Sequence, residues 1–251
     1  MAQQKGILKI KGTMNDMTFY KTADGYLVKE KSEISKEKIS NDPAFVRTRE
    51  NNSEFGRAGK ASKLLLNAIR VPVQNARDGR VFSRLMKEMM RVIKADATST
   101  RGLRNVIDGE TELLRDFDFN ATAKLAATLY APFTALIDRV TGVLSIDLPV
   151  YYPLSMIAAP AGSTHYKINS SGCVIDFTRE VYTTVDFETT YLPIDGVLTA
   201  ALNITHQLPA NSTDPLFLFL GIQFFQQVNG AQYALRNGAF NALNIVLVEG
   251  V

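Results

Sequence analysis

Between Asp42 and Ala95 the apolar residues recur at helical spacing, and from Leu113 onward they recur at every second position. That change of period constrains the fold more than any other feature. A stripe at period 3.6 and a stripe at period 2 cannot share one secondary structure, so the chain must be helices followed by strands.

Asp42-Pro43 is a natural helix start: Asp accepts from an orphan N–H, and Pro at the first position forfeits only a donor without a partner. From there Phe55, Ala58, Ser62, Leu65, Leu66 and Ile69 fall on one arc, opposite Arg49, Arg57, Lys60, Lys63 and Arg70. Gly56, Gly59 and Ala61 on that arc predict close packing against a neighbour. Val71-Pro72 ends the segment, because Pro clashes with a continuing α backbone. Asp78 can cap a second helix, on which Val81, Phe82, Leu85, Met86, Met89, Met90, Val92 and Ile93 form a wide apolar arc. Such a methionine stripe reads as core, with an adaptable groove as the other reading. Arg84, Lys87, Arg91 and Lys94 share the other side, with Glu88 spaced to pair with Arg84.

Ahead of the helices, Gly6–Gly12, Met17–Lys21 and Tyr26–Lys31 read as a short β-meander turning at Asn15-Asp16 and Ala23-Asp24-Gly25. Ser32–Asn41 reads as a charged connector. Two or three strands alone are marginal in water, so the meander must lean on something. Asp96–Glu112, polar and glycine-containing, reads as a domain boundary, giving domains 1–104 and 105–251. Beyond it come candidate strands Leu114–Phe119, Ala123–Tyr130, Thr134–Val140, Val143–Leu148, Thr164–Asn169, Val174–Thr178, Val181–Phe187, Val197–Ile204, Leu216–Val228 and Ala242–Val248. Thr141-Gly142, Asn229-Gly230 and Asn237-Gly238 are hairpin signals. The expected fold is α+β: a small N-terminal β-meander and two amphipathic helices, followed by an antiparallel β-sandwich, Ig-like or jelly-roll-like. Leu216–Val228, almost continuously apolar, should be a central strand covered on both faces.

Charge is segregated. Residues 1–104 hold 22 Lys+Arg against 11 Asp+Glu, a net of +11, and residues 105–251 hold 6 against 14, a net of −8. Opposite signs of this size can attract within a molecule, between copies, or toward nucleic acid. Cys173 is the only cysteine, so no intrachain disulfide forms, as in a reducing compartment. No secretory signal and no 18-residue apolar run are found, so a cytoplasmic protein is expected, with export as part of a particle left open.

No catalytic chemistry assembles from the spacing. His165 and His206 are the only histidines, and neither has a ligand-spaced partner, so no metal or cofactor is expected. Ser170-Ser171-Gly172 lacks the setting of a nucleophile elbow. Asp116, Asp118, Asp176, Asp186 and Glu188 read as the wet face of the sandwich, with an acid–base pair whose separation the fold would set as the other reading. The chain is therefore expected not to be an enzyme.

Gly6-Ile7-Leu8-Lys9-Ile10-Lys11-Gly12, Met17-Thr18-Phe19-Tyr20-Lys21, Asp24-Gly25-Tyr26-Leu27-Val28, Phe55-Gly56-Arg57-Ala58-Gly59-Lys60 and Asn237-Gly238-Ala239-Phe240-Asn241-Ala242-Leu243 together resemble an uncharacterised family of bacterial conserved hypothetical proteins. The resemblance reaches both ends, which implies a full-length unit, and it implies no activity, cofactor or site.

Three functions follow as expectations. The first is a structural protein that self-associates, as a filament, shell or phage-like particle subunit. It would use basic-to-acidic contacts and strand addition through Ile7, Lys9 and Lys11. The second is nucleic-acid binding, with Arg49, Arg57, Lys60, Lys63, Arg84, Lys87 and Arg91 on phosphates. The third is a carbohydrate- or peptide-binding sandwich using Tyr151, Tyr152, Tyr166, Tyr182 or Tyr191.

Overall fold

The computed structural model describes residues 2–22, 24–31 and 34–251, and for residues 236 and 237 the backbone alone. Ala23 of the expected turn and Ser32 and Glu33 of the expected connector lie outside the described residues. The chain divides into two compact units, Met1–Glu50 and Asn51–Val251.

The first unit is the meander, with four strands in place of the expected three. They are β1 (Ala2–Gln3), β2 (Gly12–Met14), β3 (Met17–Thr22) and β4 (Gly25–Glu30), in the antiparallel order β1-β4-β3-β2. Asn15, at φ 49°, makes the tight β2–β3 turn with Asp16, as its sequence suggests. The expected strand Gly6–Gly12 is corrected: residues 6–11 form a loop, and pairing begins only at Gly12. The Gln4 side chain clasps that loop, donating to the carbonyls of Ile10 and Leu27 and accepting from the Ile10 N–H at 2.9 Å. Ser35 caps α1 (Lys36–Asn41), and Asp42 caps a 3₁₀ turn over Pro43–Phe45.

From that turn the chain continues as α2 (Val46–Ala68), breaks at Ile69, and resumes as α3 (Arg70–Asn75). The break therefore comes just before Pro72. Pro72 itself sits in the first turn of α3, where no intrahelical donor is required. The fourth helix, α4, spans Val81–Ala95. Strands and two short helices follow: α5 (Leu125–Thr128), β5 (Thr134–Asp138), β6 (Val143–Leu148), α6 (Pro153–Met156), β7 (His165–Asp176), β8 (Val181–Glu188), β9 (Leu192–Pro193), β10 (Leu202–Gln207), β11 (Leu216–Val228), β12 (Ala231–Ala234) and β13 (Ala242–Glu249). Two expected strands, Thr164–Asn169 and Val174–Thr178, are one long strand, β7. The expected strand Leu114–Phe119 ends a 3₁₀ turn and then only brushes β13, and α5 occupies part of the expected Ala123–Tyr130.

The fold is α+β, with antiparallel, sandwich-like sheets. β11 explains the architecture. It pairs with β7 along one edge and with β13 and then β12 along the other, so it is central. Its side chains alternate between two cores. Phe217 and Phe219 pack with α2, α4, Leu243 and Ile245. Leu216, Leu218, Leu220, Ile222 and Phe224 pack with Leu144, Ile146 and Ile204 of the smaller sheet β10-β6-β5. Each such side chain, fully buried, contributes about 1.5–3 kcal/mol, and both faces of β11 collect it. An apolar run without alternation is therefore the signature of this middle layer.

The helices expected to group with the meander thus share a core with the strands. The polar segment Asp96–Glu112 is not an extended linker. Buried Asp96 accepts from the Thr98 and Ser99 N–H groups through one oxygen and from the Asn105 N–H through the other. Buried Glu54 of α2 accepts from the Gly102 N–H at 2.7 Å and pairs with Arg104 at 2.8 Å. At the expected Thr141-Gly142 turn, Gly142 has φ 74° and a Cβ would fall 2.3 Å from the Leu208 carbonyl. Asn229-Gly230 likewise turns β11 into β12 with φ of 50° and 81°, while Leu235–Gly238 is a 3₁₀ turn.

Candidate interaction surfaces

Of the seven cations expected on phosphates, three are tied down by backbone carbonyls. Arg49 donates to Ile39 and Asp42, both at 2.9 Å. Arg57 donates to the Gly102 and Arg104 carbonyls at 2.7 and 3.0 Å. Arg84 donates to the Asp118 and Phe119 carbonyls, lies over the Phe117 ring, and pairs with Asp78 at 2.5 Å. The expected Arg84–Glu88 pair is corrected: Glu88 pairs with Arg91 at 2.5 Å, because Asp78 takes the Arg84 guanidinium. Lys60 meets Glu180 at 3.5 Å between exposed side chains. Lys63 and Lys87 are exposed.

Burial pushes the Asp78 carboxyl up, but hydrogen bonds from the Ala121 and Arg80 N–H groups and from Arg84 outweigh it and hold the carboxyl below its ordinary value. The charge opposition lies largely inside the second unit. Residues 51–251 hold 18 Lys+Arg and 18 Asp+Glu, and residues 1–50 hold 10 against 7.

The expected close packing at the helical glycines does not occur. A Cβ on Gly56 would meet nothing within 4 Å, and one on Gly59 would meet only the Met86 methyl at 3.6 Å. Phe55, expected on the buried arc, is 53% exposed, while Glu54 takes the buried place. Four residues before Ala58, Glu54 already stood on that arc; its partners, about fifty residues on, left no local signal. The methionines do serve the core: Met89 is buried, and Met86 and Met90 pack against it.

His206 and Ser170 meet at 2.8 Å in the sealed space between the two sheets. Ser170 also donates to the Phe219 carbonyl at 2.7 Å, so its hydroxyl accepts from His206 Nε2. His206 Nδ1 then keeps a bare lone pair without a partner. Burial pushes the imidazole pKa down, with Asp186 pulling weakly the other way. Gly172 makes room for the ring: a Cβ there would sit 2.9 Å from His206 Cβ. This buried pair holds the sheets together. Of the five expected wet-face carboxylates, Asp186 accepts from Ser171, Glu188 pairs with Lys167, and Asp118 accepts from Asn244 and the Leu125 N–H. Asp176 closes the β7–β8 turn by accepting from Thr178 and Arg179, and Asp116 holds φ 65° beside β13. Among the described residues no group of three or more His, Cys, Asp or Glu is placed to hold a metal ion.

Two surfaces remain conspicuous. In the first unit no described residue is buried, and Ile7 and Leu8 at the loop tip are 102% and 84% exposed. The expected strand-addition residues Ile7, Lys9 and Lys11 all lie on this loop. In the second unit a cleft of 510 Å³ opens between the ends of β8, β9 and β10, with Tyr151 and Tyr166 deep within it. Their hydroxyls bond each other at 2.9 Å, and burial raises the pKa of both phenols. Tyr152 and Tyr182 are exposed elsewhere, and Tyr191 packs edge-on against Phe225.

No family model, curated protein or solved structure matches the chain. Among the described residues no helix is long and apolar enough to cross a membrane.

Proposed function

We propose that this is a non-enzymatic structural subunit that associates with copies of itself through its N-terminal unit. The single observation carrying this reading is a four-stranded sheet in which no described residue is buried, beside a loop that holds Ile7 and Leu8 in water. A sheet needs an apolar face covered before it is stable, and this unit leaves Phe19, Tyr20, Leu27 and Val28 only half-buried. Exposed aliphatic side chains on a fixed loop gain about 1.5–3 kcal/mol each on complete burial. A contact between two different surfaces propagates, giving a filament where the rotation stays open and a ring or shell where it closes.

The nucleic-acid reading is supported less. Arg49, Arg57 and Arg84 would have to leave carbonyls, and Lys60 and Arg91 carboxylates, before turning to phosphates. Sedimentation velocity on the full chain over a wide concentration range, at low and high salt, tests the assembly reading. Species growing with concentration are expected, and the Ile7→Asp/Leu8→Asp variant should shift them toward monomer. A monomer at every concentration and both salts overturns it.

A further inference from the structure

The floor of the cleft in the second unit is already satisfied. The Tyr151 and Tyr166 hydroxyls satisfy each other, and Phe187, Leu192, Val197, Leu198 and Leu202 give the wall a large apolar share beside its threonines. Val197 is 67% exposed and Leu198 46%, so the mouth presents apolar surface to water. The wall that carries them is held in place. Val197 N–H donates to Asp195, Thr199 N–H donates to the Tyr151 carbonyl, and Tyr151 N–H donates back to Thr199 Oγ1. A volume of 510 Å³ falls in the range that encloses a compact ligand of many carbon atoms. Two carboxylates line it. Glu188 is paired with Lys167 at 3.2 Å, and Asp195 supplies the remaining negative charge.

The loop of the first unit offers the complementary chemistry, an apolar tip beside cations. Its tip is Ile7-Leu8, the two most exposed large aliphatic side chains among the described residues. Lys5 and Lys11 flank it exposed, while Lys9 bonds the Gln4 carbonyl and lies over the Tyr26 ring. Gln4 fixes the base of the loop, which lowers the ordering cost of docking. We infer that the Ile7-Leu8 tip of one copy enters the Tyr151–Leu198 cleft of the next, with Lys5 and Lys11 facing Asp195. This inference rests on the self-association proposed above and names the surface that receives the loop. Tip and cleft are different surfaces of one chain, so the contact is heterologous and leaves a vacant tip and a vacant cleft at the two ends of any open chain.

Two full-length variants separate the possibilities: Ile7→Asp/Leu8→Asp blunts the tip, and Val197→Asp/Leu198→Asp closes the cleft at exposed positions. Circular dichroism and melting first confirm that both fold. Each alone is expected to be monomeric, with homotypic association weakened about thirtyfold or more, the effect of losing an apolar anchor. Mixed in equal amounts they should form a one-to-one dimer and nothing larger, because the mixture holds one intact tip and one intact cleft per pair. If wild type and the cleft variant assemble equally, this inference fails while self-association stands. Failure of the two folded variants to pair, when wild type assembles, also overturns it. A monomeric wild type removes both.

Discussion

Replacing Arg84 with Ala separates a structural role from a phosphate-binding one. The guanidinium bonds the Asp118 carbonyl at 2.7 Å and the Phe119 carbonyl at 2.9 Å, and pairs with Asp78 at 2.5 Å. It ties α4 to the segment leading into α5, over the Phe117 ring at 5.0 Å. Hydrogen bonds from a charged donor contribute about 1.5 kcal/mol each at the low end of their range, which suits a side chain 31% exposed. Two of them make about 3 kcal/mol. The ion pair adds little, since Asp78 keeps its bonds from the Ala121 and Arg80 N–H groups. In a unit of this size, about 3 kcal/mol lowers Tm by roughly 6–12 °C. Arg84→Lys should recover only a fraction, because an ammonium cannot fork between two carbonyls. Lys87→Ala, one turn away and exposed, is the control and should stay within about 0.5 kcal/mol. Calorimetric melting of the three variants reads this directly. An Arg84→Ala protein that melts within about 1 °C of wild type and loses affinity for nucleic acid would refute the reasoning.

Gly172→Ala should destabilise by about 1–3 kcal/mol in urea unfolding, because its methyl would press on His206 between two paired strands with no room to part. Gly56→Ala should do the opposite and stabilise by about 0.5–1 kcal/mol, since the position is helical and open. Burial holds the folded pKa of His206 below its usual 6.5. Between that lowered value and 6.5 the unfolded chain binds a proton that the folded chain refuses. Stability should therefore fall as pH drops through this window, and His206→Gln should flatten the urea midpoint there. Hydrogen bonds outweigh the burial of Asp96 and hold its carboxyl well below 3.8, so its contribution is present above 3.8 and lost as pH falls toward the lowered value. Asp96→Asn should blunt that acid-side loss in the same assay.

Local patterns carried what local physics decides. Period 3.6 followed by period 2 determined helices and then strands. Continuous apolarity from Leu216 determined a strand with two covered faces, and Asn15-Asp16, Thr141-Gly142 and Asn229-Gly230 determined turns. Tertiary structure alone decided which unit the helices join: Phe217 and Phe219 lie about 150 residues beyond them, and no spacing within the helices announces that core. It also decided the fate of the cations. A basic stripe on a helix looks the same whether its guanidiniums reach water or the carbonyls of a distant loop, and Arg57 and Arg84 found carbonyls. Equally, alternation along β9, β10 and the segment between them could not show that they enclose a cleft. A cavity is a relation between chain segments, and so is the loop at Ile7-Leu8: its sequence reads as a strand, and the Gln4 side chain holds it as a loop.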